Sequence, residues 1–205
     1  MPAPILTRTV FHTKRAMEFF TEKELTMQIG FDRHHWPLAL VKELLDNALD
    51  ACETAGVPPD ITLTLTDDTL SIHDNGPGLP LSTLTDSLDY MIRVSDKAHY
   101  VSPTRGQLGN ALKCVWAAPF VAHGREGCIE VQSAPKTGAY QRQIRVRLDR
   151  IAQQPVLSLT EPSEEDFVKT GTSITIHWEG IASRSIPRIG PIFTKSPTSS
   201  ATMPP

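Results

Sequence analysis

The chain has 205 residues, a formal net charge of −3 and 40% hydrophobic residues: a length that suits one domain with a real core, and a charge that excludes an overall basic surface for nucleic acid. Cys52, Cys114 and Cys128 show no disulfide or zinc spacing and the seven His no metal-ligand pattern, so a reducing, cytoplasmic setting is expected. No apolar run approaches the ~20 residues of a membrane span and the N-terminus lacks a signal-peptide core, so no membrane association is expected.

Residues 1–14 read as extended and residues 14–27 as a short helix. The main helix is expected over residues 37–54, because Leu38 to Ala55 contains no Gly or Pro and is rich in Ala and Leu. At about 100° per residue, Glu43, Asn47 and Asp50 share one stripe with Asp46 at its edge, while Val41, Leu44, Leu45, Ala48, Ala51, Cys52 and Ala55 face the other way. A solvated helix face reads equally well from these residues alone. Two features weigh against it: no Lys or Arg follows any of the acids by four positions, and Asn is a poor helix-interior residue unless its amide is needed. Magnesium takes oxygen ligands and keeps several waters, so the Asn47 carbonyl could hold that ion and leave room for phosphates. Glu43, one turn earlier, could take a proton from an attacking water. Asp50 could bind a metal-bound water or fix the helix to a neighbouring loop.

Residues 61–66 and 69–74 pair as a hairpin around Asp67 and Asp68. The second strand ends at Asp74, and Asn75-Gly76-Pro77-Gly78 follows as a turn in which Gly76 and Gly78 permit close backbone approach and positive φ. Asp74 could accept a hydrogen bond from an exocyclic amine such as that of adenine; an ordinary Asx-type turn is the plainer alternative. A helix over residues 81–92 and a polar loop over 94–104, able to act as a lid, come next. Then Arg105-Gly106-Gln107-Leu108-Gly109 leads into an Ala-rich helix over residues 110–118, stopped by Pro119. A glycine loop entering a helix presents free N–H groups and a positive dipole end to an anion, with Lys97, Arg105 and Lys113 as nearby cations. A helix entry with no ligand remains open. The sequence is not a P-loop, which would end in Gly-Lys-Ser/Thr, nor a dinucleotide fingerprint.

Strands are expected over 129–132, 141–148, 156–160 and 173–178. Arg145 and Arg147 alternate with apolar residues there, as one solvated strand face. Helices early and antiparallel strands late suit an α+β sandwich. Ser, Pro and Thr dominate residues 183–205, and disorder is expected there.

The helix stripe, the Asp74 turn and the Gly106–Gly109 loop, in this order, resemble the ATP-binding domain of the GHKL superfamily. The segment from Glu43 to Ala51 is similar to its Glu-x-x-x-Asn-x-x-Asp-Ala box. The two glycine turns are similar to its first and second glycine boxes, and Thr170-Gly171-Thr172 to its last. Histidine kinases fit least well, because their helix box lacks the Glu at the position of Glu43. Within the superfamily, the segments Phe19-Phe20, Ile29-Gly30-Phe31, Leu44 to Gly56 with Pro59-Asp60-Ile61, and Arg105-Gly106-Gln107 resemble the B subunits of topoisomerase VI, over about residues 15–178. The resemblance implies an α+β Bergerat-type two-layer α/β sandwich with a mixed, mostly antiparallel sheet and helices on one face. It implies ATP and Mg2+ as ligands, Glu43 as general base, Asn47 on magnesium, and Asp74 on adenine. Gly76, Gly78 and Asp50 are then expected at the nucleotide, with Arg105, Gly106, Gln107, Leu108, Gly109, Asn110, Lys97 and Lys113 toward its phosphates, and Thr172 among the nucleotide-binding residues.

Residues 1–30 are expected as an N-terminal strap, 31–180 as the ATP-binding domain and 181–205 as the tail. Ala111 stands where topoisomerases carry the last glycine of the second box, and Gly109-Asn110-Ala111-Leu112-Lys113 resembles the corresponding box of MORC-type ATPases. The family's transducer domain, whose lysine reaches the terminal phosphate, lies outside the resemblance, so strand passage is not expected of this polypeptide alone. ATP binding with hydrolysis, an ATP-dependent homodimer and a DNA-cleaving partner subunit are the expectations. The alternative is a non-hydrolysing, nucleotide-gated interaction module of MORC-like or degenerate type.

Overall fold

The computed structural model describes residues 19–90, 111–124, 126–149, 154–160 and 168–182. Four α-helices and six strands occur among them: α1 (Glu22–Ile29), a 3-10 turn (Arg33–His35), α2 (Trp36–Ala55), β1 (Ile61–Leu65), β2 (Thr69–Asp74), α3 (Leu81–Ser87), α4 (Ala111–His123), β3 (Gly127–Ser133), β4 (Tyr140–Asp149), β5 (Gln154–Thr160) and β6 (Thr172–His177). The strands form one sheet in the order β1-β2-β6-β3-β4-β5. Every described pair is antiparallel, within the mostly antiparallel α+β sandwich expected.

Local chemistry sets the helix ends. The Thr21 hydroxyl accepts from the Glu24 N–H at 3.2 Å, so α1 begins at Glu22 and not at residue 14 as the composition suggested. Gly30, at φ 81°, ends it. Pro37 sits in the first turn of α2, where a missing N–H costs nothing. The helix closes on Gly56, with Gly56 N–H on the Glu53 carbonyl and Val57 N–H on the Cys52 carbonyl, a Schellman pair. α3 stops at Ser87, short of the expected residue 92. The Ser87 hydroxyl turns back to the Leu84 carbonyl, and Leu88 closes a turn on Thr85.

Pro119 does not stop α4, which runs to His123. Val115, Trp116, Ala117, Ala118 and Ala122 around it are all buried. The apolar area removed from water on nearly every side of this helix outweighs one missing hydrogen bond. Gly124, at φ 64° with its N–H on the Phe120 carbonyl, supplies the stop instead.

All four helices belong to one layer. Its core joins Leu40, Leu44 and Ala48 of α2 and Val115 to Ala118 of α4 to Leu70, Ile72, Ile129, Val131, Ile144, Val146, Ile174 and Ile176 from the sheet. The period of two that buries those strand residues leaves Ser71, Thr175, Glu130, Gln143 and Arg145 on the other face. That face is knit by polar contacts, such as Ser71 Oγ to Thr175 Oγ1 at 2.9 Å. Phe19 and Phe20 are buried edge-on against Tyr90, with centroids at 5.1 and 4.8 Å. The chain from residue 19 therefore packs on the domain. Leu45, expected on the apolar face of α2, is 37% exposed.

Candidate functional site

The sheet order brings four strand ends to one place. β6 lies between β2 and β3 and is antiparallel to both, so Asp74 at the end of β2 and Ser133 at the end of β3 flank Thr172 at the start of β6. Tyr140, at the start of β4, is opposite Ser133. Asp74 is 6% exposed. Its Oδ1 accepts from Gly76 N–H at 2.8 Å and from Thr172 N–H at 3.3 Å. Among the described residues both bonds go to that one oxygen, which leaves Oδ2 for a donor from outside. Burial pushes the carboxyl above the usual carboxylate range, against the pull of the two N–H groups.

The turn after Asp74 is fastened from below. Leu79 N–H donates to Ser133 Oγ at 2.7 Å and to Thr172 Oγ1 at 3.0 Å. Tyr140 donates its hydroxyl to the Leu79 carbonyl at 2.8 Å, and burial pushes that phenol up to about 12. Thr172, expected to touch the ligand, thus holds Asp74 through its N–H and the turn through its hydroxyl.

The glycines serve backbone approach. A Cβ on Gly76 would sit 2.9 Å from Asp74 Oδ1 and 3.2 Å from Ala51 Cβ. One on Gly78, at φ 79°, would sit 2.5 Å from the Pro135 nitrogen, and one on Gly171, at φ 72°, would overlap the Asp74 carbonyl oxygen. Gly76 therefore marks where the last turns of α2 touch the Asp74 turn.

On α2 the stripe leads away from that contact. Asn47 is exposed, and its amide has no hydrogen-bond partner among the described residues. Asp50 is half-buried and engaged in an interaction. Glu43 is half-buried, with Lys42 Nζ 3.8 Å from its Oε1. Its charge reaches Cys114 near the start of α4, whose thiol is pushed up to about 12 by burial first and by Glu43 second. Lys42 also pairs with Asp46 at 2.7 Å, and that contact raises the Lys42 ammonium. The acids thus do have a lysine partner, placed four residues before Asp46 instead of after it.

The sequence pointed to Lys113 as a phosphate-reaching cation, and the structure turns it inward. It is 2% exposed, with Nζ on the Asp89 carbonyl at 2.5 Å and over the Tyr90 ring at 5.9 Å. Burial lowers its pKa. Lys97, Arg105, Gly106, Gln107, Leu108, Gly109 and Asn110 lie outside the described residues. Asn75, Leu79, Ser133 and Tyr140 carry the site's frame; local pattern marked Asn75 only as a turn residue and the others not at all, because each acts across 15 or more residues of chain. Among the described residues no cluster of three His, Cys, Asp or Glu side chains could hold a metal ion. No described helix is long and apolar enough to cross a membrane.

Comparison with known proteins agrees with this geometry. The B subunit of type 2 DNA topoisomerase 6 from Archaeoglobus fulgidus is 28% identical over 147 residues, covering 70% of this chain and 24% of that protein. The protein of the same name from Methanosarcina mazei is 32% identical over 129 residues (60% and 20%), and that of Natronomonas pharaonis 40% identical over 97 residues (45% and 12%). The chain spans a quarter or less of these relatives' length. The family model described as histidine kinase-, DNA gyrase B- and HSP90-like ATPase matches residues 35–154. With the helix stripe, the Asp74 turn and more than half the chain inside that match, the chain belongs to this GHKL family of ATPases.

Proposed function

We propose that the chain binds ATP with Mg2+ across the groove between the α2 stripe and the Asp74 turn, hydrolyses it, and uses the nucleotide state to gate self-association. The observation that carries this is the buried Asp74 carboxylate, with two backbone donors on Oδ1 and Oδ2 left for an exocyclic amine. The exposed Asn47 amide, with no hydrogen-bond partner among the described residues, fits an oxygen ligand for magnesium. The ion, when bound, would neutralise phosphate charge. Glu43 takes the proton of the attacking water. The water oxygen bonds to the terminal phosphorus, the bond to the bridging oxygen breaks, and ADP leaves with those electrons.

In the Glu43→Ala variant, ATP affinity stays within about threefold of wild type while turnover falls by at least about 100-fold, the usual scale for a general base. Equal turnover removes Glu43 from that role. A second reading, a module that binds ATP without hydrolysing it, is favoured by Lys113, which is buried on Asp89 and so adds no charge at a phosphate. Single-turnover hydrolysis set beside ATP-dependent dimerisation separates the two. The relatives are named as B subunits of a DNA topoisomerase, and a DNA-cleaving companion protein is the heterologous partner that this likeness proposes.

A further inference from the structure

Asn75 follows Asp74 directly, yet its side chain points away from the site. Its Oδ1 accepts from Asp60 N–H at 2.9 Å and from Cys52 Sγ at 3.2 Å, and its Nδ2 donates to the Pro58 carbonyl at 3.0 Å. One amide thus binds the last turn of α2 and the connection from α2 to β1. Only a group with an acceptor and a donor on one planar head serves all three; a carboxylate would set an acceptor against the Pro58 carbonyl. From the other side, a Cβ on Gly171 would come within 3.1 Å of the Asn75 Cα, so the backbone there lies close against the residue that precedes β6. The far end of the same contact is Gly76 against Ala51, one residue beyond Asp50.

We propose that Asn75 is a positioning residue that locks α2 to the Asp74 turn and thereby sets the span between the Asn47–Glu43 end and the Asp74 end of the nucleotide site. This rests on the nucleotide reading above. A ligand that touches both ends gains from that preset span, because the second contact forms without further ordering. A ligand that touches one end does not. Loss of the clamp therefore separates Mg·ATP, which needs both ends, from adenosine, which needs Asp74 alone.

The experiment has two arms, each run on wild type, Asn75→Ala and Asn75→Asp, which keeps the acceptor for Asp60 but loses the donor to the Pro58 carbonyl. In hydrogen exchange without nucleotide, the Asp60 amide exchanges at least about tenfold faster in Asn75→Ala, which loses the acceptor, and stays nearer the wild-type rate in Asn75→Asp, which keeps it, while the β3 and β6 amides keep their rates in both. Unchanged Asp60 exchange in Asn75→Ala overturns the clamp, and faster exchange throughout β3 and β6 overturns its positioning character. In calorimetry, Mg·ATP binds about tenfold or more weakly while adenosine stays within about twofold, the scale of one or two lost hydrogen bonds. Equal losses for both ligands, or unchanged Mg·ATP affinity in the folded variants, overturn the proposal. Wild-type protein that binds neither ligand sinks the nucleotide reading, and the exchange arm still decides the clamp.

Discussion

Burial pushes the Asp74 carboxyl up, and the Gly76 and Thr172 amides offset only part of that. A raised carboxyl in the fold favours the protonated native state. Its contribution to stability is whole below the ordinary carboxylate pKa and is lost as pH climbs through the raised value. Near neutrality the protein therefore carries a buried charge at a cost, which is common where a group is kept for binding. Asp74→Asn keeps an oxygen for the two N–H donors and removes the charge. We expect this variant to melt higher than wild type at pH 7, with the gap closing toward pH 4, while Mg·ATP binds about 10- to 100-fold more weakly for want of a charged acceptor. Calorimetry and melting across that pH range check both halves, and wild-type affinity in the variant would remove Asp74 from the site.

At the scale of elements, Gly171, just before β6, leaves the least room for a Cβ among the described glycines. Gly171 is at φ 72° and faces the Asp74 carbonyl with no room for a methyl group; Gly30, at φ 81°, has nothing within 4 Å of a would-be Cβ. Gly30→Ala should cost about 1 kcal/mol, the left-handed penalty alone. Gly171→Ala should cost at least about twice that, because β6 must withdraw from β2. Urea midpoints with unchanged slopes measure the difference, and equal costs would show that β6 does not press on Asp74. What could be read in the sequence divides along the same line. The placement of Glu43, Asn47 and Asp50 on one helix was legible because helical period is local, and the hairpin that ends at Asp74 because its turn residues are adjacent. Pro119 misled because its cost is local and its compensation, the burial of Val115 to Ala118, is tertiary. The burial of Lys113 was not legible for the converse reason: a charge reads as exposed unless its partners, here Asp89 and Tyr90, are known.

At the scale of the whole molecule, charge is spent internally. Glu126 holds both Arg145 and Arg147, at 2.8 and 2.6 Å, and those contacts pull its carboxyl below the usual range. The arginine face that the sequence presented as solvated is exposed on the sheet surface and paired there by Glu126, and the proposed nucleotide site is a separate lever on the protein's state. A ligand that binds only the folded chain stabilises it by about 2.7 kcal/mol at 100 times its Kd. For a chain of this size each kcal/mol moves the melting temperature by about 2–4 °C, so saturating Mg·ATP should raise it by roughly 5–10 °C. If nucleotide also gates self-association, the melting temperature becomes dependent on protein concentration with Mg·ATP and stays independent without it, since a dimer is stabilised by mass action and a monomer is not. A shift that does not change with protein concentration would keep the binding and remove the gating, and no shift at all would remove both.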